Sequence, residues 1–188
     1  YALYQLGNMY FNGHGVSIDY KKAFKYFKSS ADKNNQHACL NLGNMYLKGI
    51  GVNQDYKKAK EYYEKSAEQN NQYALCQLGN IYYYGQGVNH NYEIAFKYYK
   101  LAAEQFNPEA LLQLGNIYYF GNGVKKDYVE ARKYYEICEK YDDQHAYLQL
   151  GNIYYYGKGV EIDYLKAKEY FGKSANLKNS EAMIRLGD

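Results

Sequence analysis

Residues 1–36 read YALYQLGNMYFNGHGVSIDYKKAFKYFKSSADKNNQ. The Leu6-Gly7 pair inside this stretch returns as Leu42-Gly43, Leu78-Gly79, Leu114-Gly115, Leu150-Gly151 and Leu186-Gly187, each 36 residues after the last. A strict period of roughly 20 to 50 residues marks a repeat array, in which a unit buries its apolar face only by stacking on its neighbours. The copies run 1–36, 37–72, 73–108, 109–144 and 145–180, and 181–188 opens a sixth. The 188 residues therefore read as a single repeat array, not as one or two globular domains.

Within the first copy, Ala2, Leu6 and Tyr10 stand at i, i+4 and i+8 with Leu3 and Met9 beside them, which is helical spacing. Gly7 falls inside that helix, where Gly costs about 1 kcal/mol against Ala. Its return in every copy points to close approach of another helix, which a Cβ would block. Gly13 is placed to end the helix in a left-handed conformation. Asp19 then caps a second helix, a role repeated by Asp55, Asn91, Asp127 and Asp163. In that helix Tyr20, Ala23, Phe27 and Ala31 form the apolar stripe, with Tyr26 at its flank and Lys21, Lys22, Lys25 and Lys28 facing solvent. Residues 33–36 form a polar turn. In the third copy that turn is Asn107-Pro108-Glu109, a cap, a Pro at the first helical position and an acid in the first turn. Each copy is an antiparallel helix pair.

Composition narrows the function classes. A formal net charge of +3 with dispersed lysines gives no nucleic-acid signature. No apolar run approaches the ~20 residues of a membrane span, so direct membrane insertion is not expected. The chain begins without Met, inside a repeat, which points to an excerpt of a longer protein. Tyr is in excess at 28 residues while Trp is absent, and phenols suit faces that are half packed and half wet. Cys39, Cys76 and Cys138 occupy unlike repeat positions, form no CxxC and read as small buried thiols. Unpaired cysteines favour a reducing compartment, the cytoplasm or, for a secreted bacterial effector, the host cytosol.

The pattern A-xxx-LG-xx-Y-xx-G-x-GV-xx-DY-xx-A-xx-YY-x-KSA resembles the Sel-one-like repeat (SLR), a relative of the tetratricopeptide repeat (TPR) with a two-glycine loop and a longer period. The resemblance covers essentially the whole chain. It implies an all-α, right-handed, TPR-like α-solenoid whose first helices line a concave groove, and an adaptor or scaffold role in protein complexes. Two departures are local: Ile137-Cys138-Glu139 in the fourth copy, and Gly172 inside the second helix of the fifth. Some bacterial members carry one disulfide per repeat. Cys39 matches one of those positions but Ala31 stands at the other, which disfavours that subgroup.

The resemblance implies that the face of the first helix away from the core stripe looks into the groove. Asn8, Asn44, Asn80, Asn116 and Asn152 repeat there, and an amide both donates and accepts, so the ladder could hold an extended peptide backbone. The alternative is that each Asn satisfies a neighbouring helix, although nothing in the pattern of the pair demands an amide. Beside the ladder stand Phe11, Leu47, Tyr83, Tyr119 and Tyr155, then Asn12, Lys48, Tyr84, Phe120 and Tyr156. These rings are interface anchors or packing between first helices, and one ring can be both. Gln5, Asn41, Gln77, Gln113 and Gln149 add further amides, while Tyr1, His37, Tyr73, Glu109 and His145 vary. A face of amides and phenols, with Lys48 the exception, suits a fairly neutral extended peptide and argues against an acidic or phosphate ligand.

Enzyme readings lack a constellation. Loops such as GHGV and GKGV have no preceding strand and no following Lys-Ser/Thr, unlike a phosphate loop. The family resemblance raises β-lactam chemistry, and a Ser-x-x-Lys does occur at Ser30–Lys33. It has no Ser-Asp-Asn or Lys-Thr-Gly companion, and the chain has no Thr. The histidines are scattered and no metal-ligand spacing is present. The expectation is a non-enzymatic module without cofactor or metal that binds a protein or peptide. The second reading is an array that self-associates through its open solenoid ends.

Overall fold

The computed structural model describes residues 2–187. Tyr1, expected on the groove face, and Asp188 lie outside the described residues. Eleven α-helices and no strand occur among the described residues. They are α1 Ala2–Asn12, α2 Tyr20–Ala31, α3 Gln36–Lys48, α4 Tyr56–Ala67, α5 Gln72–Tyr84, α6 Tyr92–Ala103, α7 Pro108–Phe120, α8 Tyr128–Cys138, α9 Gln144–Tyr156, α10 Tyr164–Asn176 and α11 Ser180–Gly187. The chain divides into two compact units, Tyr1–Gln105 and Phe106–Asp188.

Local chemistry sets the helix ends. Gly49, Gly85, Gly121 and Gly157 take φ between 64° and 78° and close their helices by donating N–H to a carbonyl four residues back. The loop then folds onto the helix it left: Asp55 N–H donates to Tyr46 O at 2.9 Å and Asp163 N–H to Tyr154 O at 3.0 Å. The second-helix caps are those expected: Asp19 accepts from Lys22 N–H, Asp55 from Lys58 N–H and Asn91 from Ile94 N–H. Asn107 caps α7 ahead of Pro108 as expected, and Asn35, Asn71 and Asp143 cap α3, α5 and α9 in the same way. Those helices begin one residue before the first position of each sequence copy.

In the first unit the core is a row of interfaces. Ala23 and Phe27 of α2 pack with Ala38, Leu42 and Met45 of α3, and Ala59 and Tyr63 of α4 with Ala74, Leu78 and Ile81 of α5. Each cluster joins the second helix of one pair to the first helix of the next. Fully burying the Phe, Leu, Met and Ile side chains among them contributes roughly 1.5–3 kcal/mol apiece. Ala2 and Leu6 of the α1 stripe are exposed, with no second helix of a preceding pair among the described residues, and two further stripe expectations need correction. Tyr20 is an exposed residue because it stands at the first turn of α2, where it lies against the loop of the following pair. A Cβ on Gly51 would come within 2.7 Å of the Tyr20 Cβ. Tyr10 is half-buried and stacks on Tyr26 at 5.6 Å, an arrangement repeated by Tyr46–Tyr62 and Tyr82–Tyr98.

The second unit carries both departures from the pattern. Helix α8 ends at Cys138 and gives way to a 3₁₀ turn, Glu139–Tyr141, closed by Asp142 at φ 49°. The turn is tied down by Tyr170, whose hydroxyl donates to Glu139 Oε1 at 3.0 Å, and by Tyr147, which donates to Asp142 Oδ1 at 3.0 Å. Helix α10 runs unbroken through Gly172, where an added Cβ would meet open space; nothing in the structure explains that glycine.

Candidate protein-binding face

The mid-helix glycine and the asparagine after it form one seat for an aromatic ring. A Cβ on Gly43 would lie 2.5 Å from the ring of Tyr63, and Gly79 and Gly115 stand in the same relation to Tyr99 and Tyr135. The close approach expected at Gly7 is thus by a ring of the partner helix: Phe27 covers Gly7, and Phe171 covers Gly151. Where the ring is Tyr, its hydroxyl reaches the neighbouring amide. Tyr63 donates to Asn44 Oδ1 at 2.8 Å, Tyr99 to Asn80 Oδ1 at 2.7 Å and Tyr135 to Asn116 Oδ1 at 2.9 Å.

This corrects one premise of the sequence reading. The helix pair does use the amide, as acceptor for a buried phenol that would otherwise lose its hydrogen bond. Where Phe replaces Tyr the amide turns elsewhere. Asn8 accepts from Asn41 Nδ2 at 3.4 Å. Asn152 is buried, donates to Gln149 Oε1 at 3.5 Å and leaves its Oδ1 without a hydrogen-bond donor. Asn116 likewise donates to Gln113 Oε1, at 3.4 Å, and Gln77 is half-buried.

The aromatic pairs have one geometry. Tyr83–Tyr84, Tyr119–Phe120 and Tyr155–Tyr156 all meet edge to face at 4.9 Å. Their members differ in exposure: Tyr84, Phe120 and Tyr156 are 58%, 53% and 48% exposed. Tyr155 is exposed, Tyr83 is half-buried and Tyr119 is buried. Tyr83 packs on Tyr92 and Tyr99, and Tyr119 on Tyr128 and Tyr135, so in these two pairs the inner ring is packing and the outer ring looks out, whereas Tyr155, against Tyr164 and Phe171, stays exposed beside Tyr156.

Several contributors went unread in the sequence. Ser66 is buried and donates to Gln36 O at 2.8 Å, and Ser174 donates to Gln144 O at 2.7 Å, each tying the end of a second helix to the start of its partner. The signal was the serine of the KSA motif. Cys138 takes the equivalent place in the fourth copy, and burial pushes its thiol up to about 12. All three cysteines are free and buried, as expected. Lys158, in a glycine loop, and Arg185, at the end of α11, reach the aromatic pairs of the second unit; their spacing alone does not reveal it. Ser30 is a buried residue of α2, in the place that Ser66 and Ser174 occupy. Among the described residues no cluster of potential metal ligands occurs, and no helix is long and apolar enough to cross a membrane.

A Sel1 repeat model matches residues 1–35, 36–71, 72–105, 108–137 and 144–179. The chain belongs to the Sel1 repeat family. Among solved structures similar to this Sel1 repeat chain is a protective antigen of uropathogenic Escherichia coli displaying an SLR fold. It is 36% identical over 99% of this chain and 40% of its own, with a TM-score of 0.93. A Sel1 repeat protein of Oxalobacter formigenes is 38% identical over 98% of this chain and 76% of its own, with a TM-score of 0.90. Cysteine rich protein B of Helicobacter pylori is 32% identical over 69% of this chain and 93% of its own, with a TM-score of 0.53. This Sel1 chain therefore spans about 40% of the length of the E. coli antigen. No protein of curated function matches it significantly. The fold class is the helix-pair solenoid of these relatives. Sel1 repeat proteins are generally non-catalytic scaffolds that bind proteins.

Proposed function

We propose that this chain is an adaptor that binds an extended peptide, or an extended segment of a partner protein, on the face formed by the first helix of each repeat. The observation that carries this reading is the outer ring of each aromatic pair. Tyr84, Phe120 and Tyr156 stay about half exposed while their backs are fixed by an edge-to-face contact with a packed neighbour. A large ring already held in place loses little freedom on binding, which is why Tyr and Trp dominate interface hot spots. The amides complete the face. In Asn44 the phenol of the second helix takes Oδ1, which fixes the side chain and directs Nδ2 as a donor; Tyr99 and Tyr135 hold Asn80 and Asn116 by the same contact. Gln77 and Gln113 stand one turn away, and Tyr83, Tyr119 and Tyr155 form the floor under the outer rings. Neither cofactor nor nucleic acid is invoked, and the single array over 1–188 belongs to the same proposal.

The test is affinity capture from the source organism's lysate with wild type and a Tyr84→Ala/Phe120→Ala/Tyr156→Ala variant of equal melting temperature. A protein held by wild type and lost by the variant supports the face. Partners retained equally by both overturn it.

A further inference from the structure

The second unit places three cations around its aromatic rings. Lys158 Nζ donates to the Tyr119 hydroxyl and lies 4.4 Å from the Tyr119 ring centroid, 5.3 Å from that of Tyr156 and 5.5 Å from that of Tyr128. On Tyr156, Arg185 donates from Nη1 to the hydroxyl at 2.8 Å, with its guanidinium carbon 5.9 Å from the ring centroid. Lys126 Nζ lies 5.9 Å from the Tyr128 ring.

Elsewhere in this unit the cations of the second helices have carboxylates at hand. Lys133 pairs with Glu130, Arg132 with Glu136, and Lys173 with Glu169 and Glu139. Among the described residues Lys126, Lys158 and Lys168 have no ion-pair partner, and Arg185 has only Glu181 at 3.8 Å. The rings stabilise the Lys158 ammonium through their faces, but they do not neutralise it. A cationic ligand would have to displace Lys158, and a neutral one would leave Lys126 and Lys158 without a counter-charge. A carboxylate between Lys158 and Arg185 would make charge-assisted hydrogen bonds to groups already held in place. The exposed rings would at the same time meet apolar side chains.

We propose that this face recognises an acidic peptide segment in which Asp or Glu alternates with aromatic or aliphatic residues, its carboxylates meeting Lys158 and Arg185. The inference rests on the binding face proposed above and revises the neutral ligand expected from the sequence. That expectation counted charges on the first helices of the five full copies, whereas Lys158 comes from a loop and Arg185 from α11, the first helix of the sixth.

The test is selection of a displayed random dodecapeptide library on the whole chain. It is run on wild type, on Lys158→Met/Arg185→Met and on Phe120→Ala/Tyr156→Ala, all three matched by thermal melting. Wild type is expected to enrich acidic-apolar sequences. Exchanging every acid of the best synthetic peptide for its amide should weaken it roughly three- to tenfold. That difference should shrink with added salt and vanish on Lys158→Met/Arg185→Met. Peptides without acidic enrichment that still need Phe120 and Tyr156 overturn acidic recognition and leave the binding face standing. Peptides held equally by Phe120→Ala/Tyr156→Ala, or a selection that enriches nothing, overturn both.

Discussion

Tyr63 of α4 donates its hydroxyl to Asn44 of α3 at 2.8 Å, with its ring lying where a side chain at Gly43 would stand. The most regular features of the repeat, the Gly, the Asn beside it and the aromatic residue 20 positions after that Gly, are therefore one interlocked contact. Gly79→Ala tests its steric half. The added methyl would sit 2.6 Å from the Tyr99 ring, and overpacking of this kind costs about 1–3 kcal/mol. Urea unfolding should show the loss. Gly172→Ala, in open space within α10, should instead stabilise by up to about 1 kcal/mol through helix propensity. Equal effects at the two sites would refute the seat.

The polar half is tested where it is missing. Phe171 covers Gly151 as Tyr135 covers Gly115, yet the Asn152 Oδ1 beneath it is buried without a donor. Phe171→Tyr should restore the hydrogen bond that Tyr135 makes to Asn116 and stabilise the chain by about 0.5–1.5 kcal/mol. A destabilised Phe171→Tyr variant would mean that the Asn152 amide is satisfied in another way.

Acid should weaken the chain through its helix caps. Backbone N–H donation from Lys22 holds the Asp19 carboxyl below its usual range, and donation from Lys58 does the same for Asp55. A carboxyl whose folded value is depressed contributes stability that is complete above its unfolded value, about 3.9. That contribution is lost as pH falls through the folded value. Asp19→Asn and Asp55→Asn should therefore flatten the acid limb of a stability profile below about pH 4, while still capping as Asn91 does in α6. An unchanged acid limb would place the titration elsewhere.

The cysteines should be inert while the chain is folded. The thiolate is the nucleophile. Burial pushes the Cys138 thiol up to about 12 and raises Cys39 as well. Both side chains, and that of Cys76, are at most 1% exposed. Ellman's reagent at pH 8 should find no fast thiol in the native chain and three after denaturation. Rapid reaction of Cys138 in the folded state would show that its end of α8 opens.

The sequence by itself determined the fold class, the pairing of helices and nearly every helix end. Those features rest on local chemistry that recurs at a fixed interval: apolar residues at helical spacing, Asp or Asn ahead of a free N–H, Gly where φ must be positive. Asp55 and Gly49 are legible because a cap or a turn involves residues only a few positions away. What only the tertiary structure decided lies between elements. It divided the Tyr83–Tyr84 and Tyr119–Phe120 pairs into a packed ring and an exposed one, because Tyr119 meets Tyr128 and Tyr135 from another helix while Phe120 does not. It gave the Asn44 amide a use inside the helix pair, 19 residues away at Tyr63. It also brought Lys158 back 39 residues onto Tyr119, adding charge to a face that reads as neutral along any one helix. Distances across stacked pairs depend on how side chains interdigitate, and a periodic pattern carries the register of that stacking without its contacts.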